Sequence, residues 1–234
     1  MNAHEVLFCT TLITAQNDKI QSRGSGFFAK YKNGYYLITN KHIIIDKTNF
    51  SIKIKTSAGN ETAYFTNQNV VISFHPEYDL CVIAIDIIVK YNQSQSKSIL
   101  NTFINLNDDN NPQFEDIESV VVCGYPCGFR DEVNNLPLVN NGITATSLNY
   151  NYNGRDIFIT NTHTYNGSSG SPVFVKHDNN YFLVGIQYAT MPLPQADDKL
   201  ESIKKEDKQL FRYIASSIYS ENIKVGVLKE FISD

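Results

Sequence analysis

The sequence predicts an all-β protein of sandwich or barrel type, and three observations predict it. Short runs rich in Val, Ile, Tyr, Phe and Thr recur with period two or as brief apolar stretches, which is how strands read. Turn residues punctuate them, most clearly in Tyr31-Lys-Asn-Gly-Tyr35, where Asn-Gly readily takes the positive φ of a tight hairpin. A polar stretch divides the runs into two series, so that 234 residues accommodate one large β domain or two small barrels.

The first series covers residues 6–15, 26–31, 35–39, 51–55, 70–74 and 80–85. From Lys90 to Pro112 the pattern lapses into Asn, Gln, Ser and Asp around one apolar patch at 99–106, which reads as a connector. The second series covers 119–123, 136–148, 156–160, 171–176 and 181–188. Residues 197–208 are charged, with too few apolar side chains for a core strand, and read as an exposed loop. Over 221–232, Ile223, Val227, Leu228 and Phe231 fall at helical spacing and predict a short C-terminal helix laid on the β structure.

Composition narrows the function classes. With 42% hydrophobic and 19% charged residues the whole chain is expected to fold. A net charge of -4, with Lys and Arg scattered, argues against a nucleic-acid surface, which needs clustered cations. No run approaches the roughly 18 apolar residues of a membrane span. The first ten residues lack the basic and apolar regions of a secretory signal, so a cytoplasmic location is expected. Cys9, Cys81, Cys123 and Cys127 are then expected as free thiols. Cys123 and Cys127 flank Gly-Tyr-Pro, but no second Cys/His pair matches them, so no metal is implied.

Three stretches carry chemistry. Tyr165-Asn-Gly-Ser-Ser-Gly-Ser-Pro172 puts a hydroxyl in a tight glycine-containing turn before an apolar strand, where backbone N–H groups can converge on an oxyanion. Taken alone it serves equally as a connecting loop. Tyr36-Leu-Ile-Thr-Asn-Lys-His42 ends an apolar strand on a titratable imidazole, and His75-Pro-Glu-Tyr-Asp79 brings a carboxylate to the mouth of another. The chain order His, Asp, Ser belongs to one of the known triad arrangements. His4 and His177 sit in polar or terminal settings, and His75, four residues from Asp79 on one segment, is the weaker candidate base.

Here the sequence resembles the trypsin-like peptidases. Gly24-Ser-Gly-Phe-Phe28, Leu-Ile-Thr-Asn-Lys-His42, Tyr-Asp79-Leu-Cys-Val, Val-Cys-Gly-Tyr-Pro126 and Gly167-Ser-Ser-Gly-Ser-Pro-Val-Phe174 look like successive landmarks of that family, and the last is similar to the bacterial glutamyl-endopeptidase (V8-like) branch. The resemblance implies two six-stranded antiparallel β-barrels of chymotrypsin type. The first would span residues 1–90 with His42 and Asp79, a connector 91–112, and the second 113–234 with Ser169 and the terminal helix. It implies a serine endopeptidase acting on polypeptide substrates through His42, Asp79 and Ser169, with no cofactor. The oxyanion hole would be the N–H groups of Gly167 and Ser169, and the substrate pocket would involve His163, Thr164 and Gln187. In the glutamyl branch a histidine stands where this chain has Gln187. Two rival readings share the fold: a catalytically silent peptide-binding module, and a small-ester hydrolase. Ser168 stands where the digestive branch carries the aspartate that pairs with a newly cut N-terminus. That switch is therefore expected to be absent, with the hole held by local hydrogen bonds or completed when a substrate or regulatory protein partner binds.

Overall fold

In the computed structural model of the chain, residues 1–108, 112–191 and 219–233 are described, and two curled sheets follow one another along them. The first is built from β1 (Thr10–Gln16), β2 (Gln21–Tyr31), β3 (Gly34–Thr39), β4 (Asn49–Thr56), β5 (Gly59–Thr66), β6 (Ile72–Phe74) and β7 (Cys81–Ala84). They pair antiparallel in the order β5-β4-β1-β2-β3-β7-β6, and β8 (Ile104–Asn105) adds to β2 in parallel. The second comprises β9 (Ser119–Gly124), β10 (Leu138–Ile143), β11 (Ile157–Thr160), β12 (Pro172–His177), β13 (Asn180–Thr190) and β14 (Ser220–Lys224), in the order β10-β9-β12-β13-β14-β11. This is the double β-barrel of chymotrypsin type. Its second sheet has six strands, and its first reaches eight by adding the short β6 and β8.

The period of two explains how one set of strands builds three apolar clusters, because adjacent side chains leave opposite faces. On β2, Phe28 points into the first barrel with Ile13, Leu37, Phe50 and Ile83, while Phe27 points out of it. On β12, Val173 and Val175 fill the second barrel with Val120 and Phe158, while Phe174 points out. The outward set, Phe27, Ile38, Leu80 and Val82 with Phe174, Leu183, Ile186 and Leu228, packs together as the seam between the barrels. The barrels are thus joined by core, and anything placed at the seam is held from both sides.

Several local expectations are corrected. Residues 6–15 do not form one strand: Ala3–Phe8 is a helix, α1, because Asn2 Oδ1 accepts from the Glu5 N–H and the Glu5 carboxylate accepts from the Asn2 N–H. This capping box satisfies two amides that a helix start leaves open. A second helix, α2 (Lys41–Ile44), follows β3 directly. A third, α3 (Asp86–Ser94), follows the first series and takes up part of the connector, burying Ile88 and Val89. The polar residues 59–66, outside the predicted set, form β5 because β4 offers them a full partner from Asn49↔Thr66 to Thr56↔Gly59. In the hairpin, Gly34 pairs with Tyr31, so the turn is Lys32-Asn33, with Lys32 at φ +50°. At the C-terminus, residues 221–224 belong to β14 between β13 and β11, and helix α4 (Val225–Ser233) starts only after them. The charged segment 197–208 lies outside the described residues.

All four cysteines are free, with Cys9, Cys81 and Cys123 buried and Cys127 exposed. Burial pushes the Cys123 thiol up to about 12, raises Cys81 likewise, and raises Cys9 with the help of neighbouring Cys123. Only the thiolate is nucleophilic, so these three should resist alkylation in the folded protein. Iodoacetamide at neutral pH is therefore expected to modify Cys127 alone, and all four cysteines after denaturation without reductant. An intact mass showing fewer than four adducts in the denatured sample would contradict the free-thiol assignment.

Candidate active site

Of the residues singled out from the sequence, His42 and Asp79 meet directly, at the loops after β3 and before β7. Asn40 ends β3 in extended backbone and starts α2, and its Nδ2 donates to the Asp79 carbonyl at 2.7 Å. That bond fixes the loop before β7 against the loop after β3. Asp79 then receives His42 twice: Oδ1 accepts the His42 backbone N–H at 2.9 Å, and Oδ2 lies 2.5 Å from Nδ1. The imidazole is half exposed, at 50%, and the carboxylate less so, at 26%. One residue before, Tyr78 donates to Asp156 Oδ2 at 3.2 Å and accepts the Asp156 N–H at 2.9 Å, tying this loop to the second barrel.

His75 is otherwise engaged. Its Nδ1 accepts the N–H groups of Glu77 and Tyr78, and its ring packs on Tyr78 and Phe231. It shapes the turn that presents Asp79. His4 packs on Phe8 and His177 lies near Asp178.

Ser169 of the second barrel lies against β2 of the first. Its carbonyl accepts the Ser25 N–H of β2 at 2.8 Å. Gly24 stands between: a Cβ there would lie 2.2 Å from Ile43 Cδ1 and 3.2 Å from the Ser169 carbonyl. The residue next to His42 and the backbone of Ser169 therefore approach to within one missing methyl group. Among the described residues, neither the Ser169 hydroxyl nor His42 Nε2 has a hydrogen-bond partner, each other included.

The turn that carries Ser169 is tied by its carbonyls. The Asn166 carbonyl accepts the Cys127 N–H at 2.5 Å, the Gly167 carbonyl accepts from Ser25 Oγ at 2.8 Å, and the Ser168 carbonyl accepts the Ser171 N–H at 3.0 Å. In a trans peptide the N–H points opposite to the C=O. Tying Asn166 and Ser168 by their carbonyls thus aims the N–H groups of Gly167 and Ser169 away from those ties, and among the described residues both are unpartnered. Gly167 sits at φ +94°, and a Cβ on it would lie 2.6 Å from the Tyr125 carbonyl, so only glycine fits. Ser168 is buried; its Oγ accepts the Tyr165 N–H at 3.3 Å and its own N–H donates to the Tyr165 carbonyl at 2.9 Å. The Met1 amine lies elsewhere, donating to the Tyr181 carbonyl at 3.1 Å.

A family model for the trypsin-like peptidase domain matches residues 24–186, which include every residue just described from Gly24 to Ser171. The chain belongs to the trypsin-like peptidase family. Solved structures agree on the fold: a serine endoprotease from Yersinia pestis superposes with a TM-score of 0.63 at 16% identity, over 100% of this chain and 66% of that one. The HtrA-type protease AlgW, solved with a tripeptide, gives 0.63 at 17% identity over 98% and 60%. An inactive serine-to-alanine form of Rv3671c from M. tuberculosis H37Rv gives 0.55 at 14% identity over 99% and 87%. The chain spans about 60% to 66% of the length of the first two. No curated protein matches it significantly in sequence.

The residues that the resemblance assigns to substrate recognition separate in the structure. Thr164 and Gln187 are buried and bonded to each other, Gln187 Nε2 donating to Thr164 Oγ1 at 2.9 Å, and a hydroxyl cluster of Thr160, Thr162 and Ser220 lies beside them. The Gln187 backbone pairs with the turn that carries Ser169, accepting from Gly170 N–H at 2.8 Å and donating to the Ser171 carbonyl at 2.9 Å. His163 is exposed, its ring 6.3 Å from that of Tyr165. Sequence reading did not single out Ser25, Asn40 or the Cys127 amide. The first two lie inside quoted landmarks, and the third lies directly after Gly-Tyr-Pro.

Proposed function

We propose that the protein is a serine endopeptidase that hydrolyses polypeptides through Ser169, His42 and Asp79. The observation that carries the proposal is the double hydrogen bond from His42 to Asp79. With Nδ1–H spent on the carboxylate, the imidazole presents Nε2 as a base, and the backbone bond to Oδ1 fixes the carboxylate that orients it. Ser169 attacks the scissile carbonyl, His42 takes its proton and returns it to the leaving amine, and water repeats the cycle on the acyl-enzyme. The N–H groups of Gly167 and Ser169 receive the oxyanion. The hydrogen bond from Ser169 to Nε2 forms as substrate closes over the site, a tightening common in catalytic pairs.

The test is a digest of a peptide library by wild type and Ser169→Ala, run beside a panel of small esters. Peptide cleavage by the wild type alone supports the proposal. Turnover of esters with every peptide left intact would contradict it.

The substrate pocket that the family resemblance implies bears on specificity. A cationic side chain buried there would need an anionic partner, whereas Thr164, Gln187, Thr162 and Ser220 offer neutral hydroxyls and an amide. Nor does Gln187 carry the charge that the histidine of the glutamyl branch can offer an acid. Neutral side chains are therefore expected to dominate the position before the cleaved bond. A cleavage profile dominated by Lys and Arg, or by Glu, would contradict this.

A further inference from the structure

The hydrogen bonds at the seam converge on one residue outside the proposed triad. We propose that Ser25, on β2 of the first barrel, is a positioning residue that holds the oxyanion-binding turn of the second barrel in shape; this rests on the roles given above to Ser169 and Gly167.

Ser25 is fully buried and uses all of its polar groups. Its N–H donates to the Ser169 carbonyl at 2.8 Å, and its carbonyl accepts from Thr39 Oγ1 at 2.8 Å. Its hydroxyl has one proton, which goes to the Gly167 carbonyl at 2.8 Å, while the same oxygen accepts the Tyr125 N–H at 2.9 Å. One side chain thereby joins three segments: β2, the turn after β9, and the nucleophile turn.

Glycines make that convergence sterically open. A Cβ on Gly124 would lie 2.9 Å from Ser25 Oγ, and one on Gly170 would lie 2.1 Å from the Ser25 carbonyl. Space was left at these points for close backbone approach around a single hydroxyl.

The consequence for Gly167 is conformational. Lacking a Cβ, glycine resists neither positive nor negative φ, so its two torsions must be set from outside. The Cys127 N–H holds the carbonyl before Gly167, and the Ser25 hydroxyl holds the carbonyl of Gly167 itself. The first tie fixes one side of the residue and the second fixes the other. With the second removed, the Gly167 peptide gains rotational freedom, the Tyr125 N–H loses its partner, and the oxyanion donor is aimed correctly for only part of the time.

The test uses the full chain and an alkyl fluorophosphonate, which phosphonylates an activated serine and places its own oxygen where the oxyanion would lie. Second-order labelling rates are measured for wild type, Ser25→Ala and Thr11→Val, below the melting temperature of each. Thr11 is the matched control: it is buried, donates to the Lys53 carbonyl at 2.7 Å and accepts the Lys53 N–H at 3.0 Å, all within the first barrel. Ser25→Ala is expected to label about 10- to 100-fold more slowly, somewhat less than the loss of an oxyanion donor itself. Thr11→Val should label at the wild-type rate although it too loses a hydroxyl that bridges two backbone groups. If Ser25→Ala fails to fold, Ser25→Cys, with a weaker donor of similar size, should label several-fold more slowly than wild type. Wild-type rates for a folded Ser25 variant would overturn the inference alone, as would equal slowing by Thr11→Val. A folded wild type left unlabelled would overturn the role of Ser169 and this inference with it.

Discussion

Ser169→Ala is expected to lower peptide-bond cleavage by several orders of magnitude, roughly 10,000-fold to a millionfold, while leaving the melting temperature close to that of wild type. The side chain is one oxygen on a half-buried residue, and among the described residues that oxygen makes no hydrogen bond. The bonds that hold the turn leave the Ser169 side chain out: among them are Ser25 N–H to the Ser169 carbonyl, Gly170 N–H to Gln187, and Ser171 N–H to Ser168. None is altered by the substitution, and surface changes of this size are usually nearly neutral in stability. Loss of activity without loss of fold is thus the expected signature, read by turnover on a library-derived substrate and by thermal melting. Retained turnover would mean that another group attacks the carbonyl.

Asp79→Asn is expected to cost about 10,000-fold in turnover, and the geometry says why a change of one atom matters so much. Asp79 accepts from both the backbone N–H and the Nδ1–H of His42, so both carboxylate oxygens act as acceptors. Asparagine has one oxygen and one NH2 group. The backbone N–H is always a donor and claims the oxygen. The NH2 then faces Nδ1, which must become an acceptor, and the ring proton moves to Nε2. An imidazole protonated on Nε2 cannot take the proton of Ser169. Because the sterics are unchanged, stability should fall only modestly, and the double substitution with Ser169→Ala should be hardly worse than Ser169→Ala alone. Activity of Asp79→Asn within tenfold of wild type would rule out the tautomer account.

How much of this was legible in the chain depends on the range of the interactions. The strands that build the seam, β2, β3, β7, β12 and β13, announce themselves by short continuous apolar runs, since each must fill a barrel on one face and the seam on the other. Residues 59–66 do not, because the stability of β5 lies in β4 rather than in its own polar side chains. The helix at Ala3–Phe8 was hidden by apolar residues that also fit a strand, although Asn2 and Glu5 carried the capping signal. His42, Asp79 and Ser169 stand out as residue types in tight settings. Ser25 does not, because a serine between two glycines is legible only as a turn-like landmark until the chain folds and brings Gly167, 142 positions on, to its hydroxyl. Pairings of that kind are a property of the assembled seam.

The most direct test of the account is to label the intact chain with an alkyl fluorophosphonate and locate the adduct. Intact mass should rise by one phosphonyl group on the uncleaved chain, since Ser168 offers no carboxylate to a newly cut N-terminus. Peptide mapping should place that group on Ser169, and Asp79→Asn should slow its attachment. An adduct on a different serine, or one confined to a truncated chain while the full-length protein stays unmarked, would contradict the account.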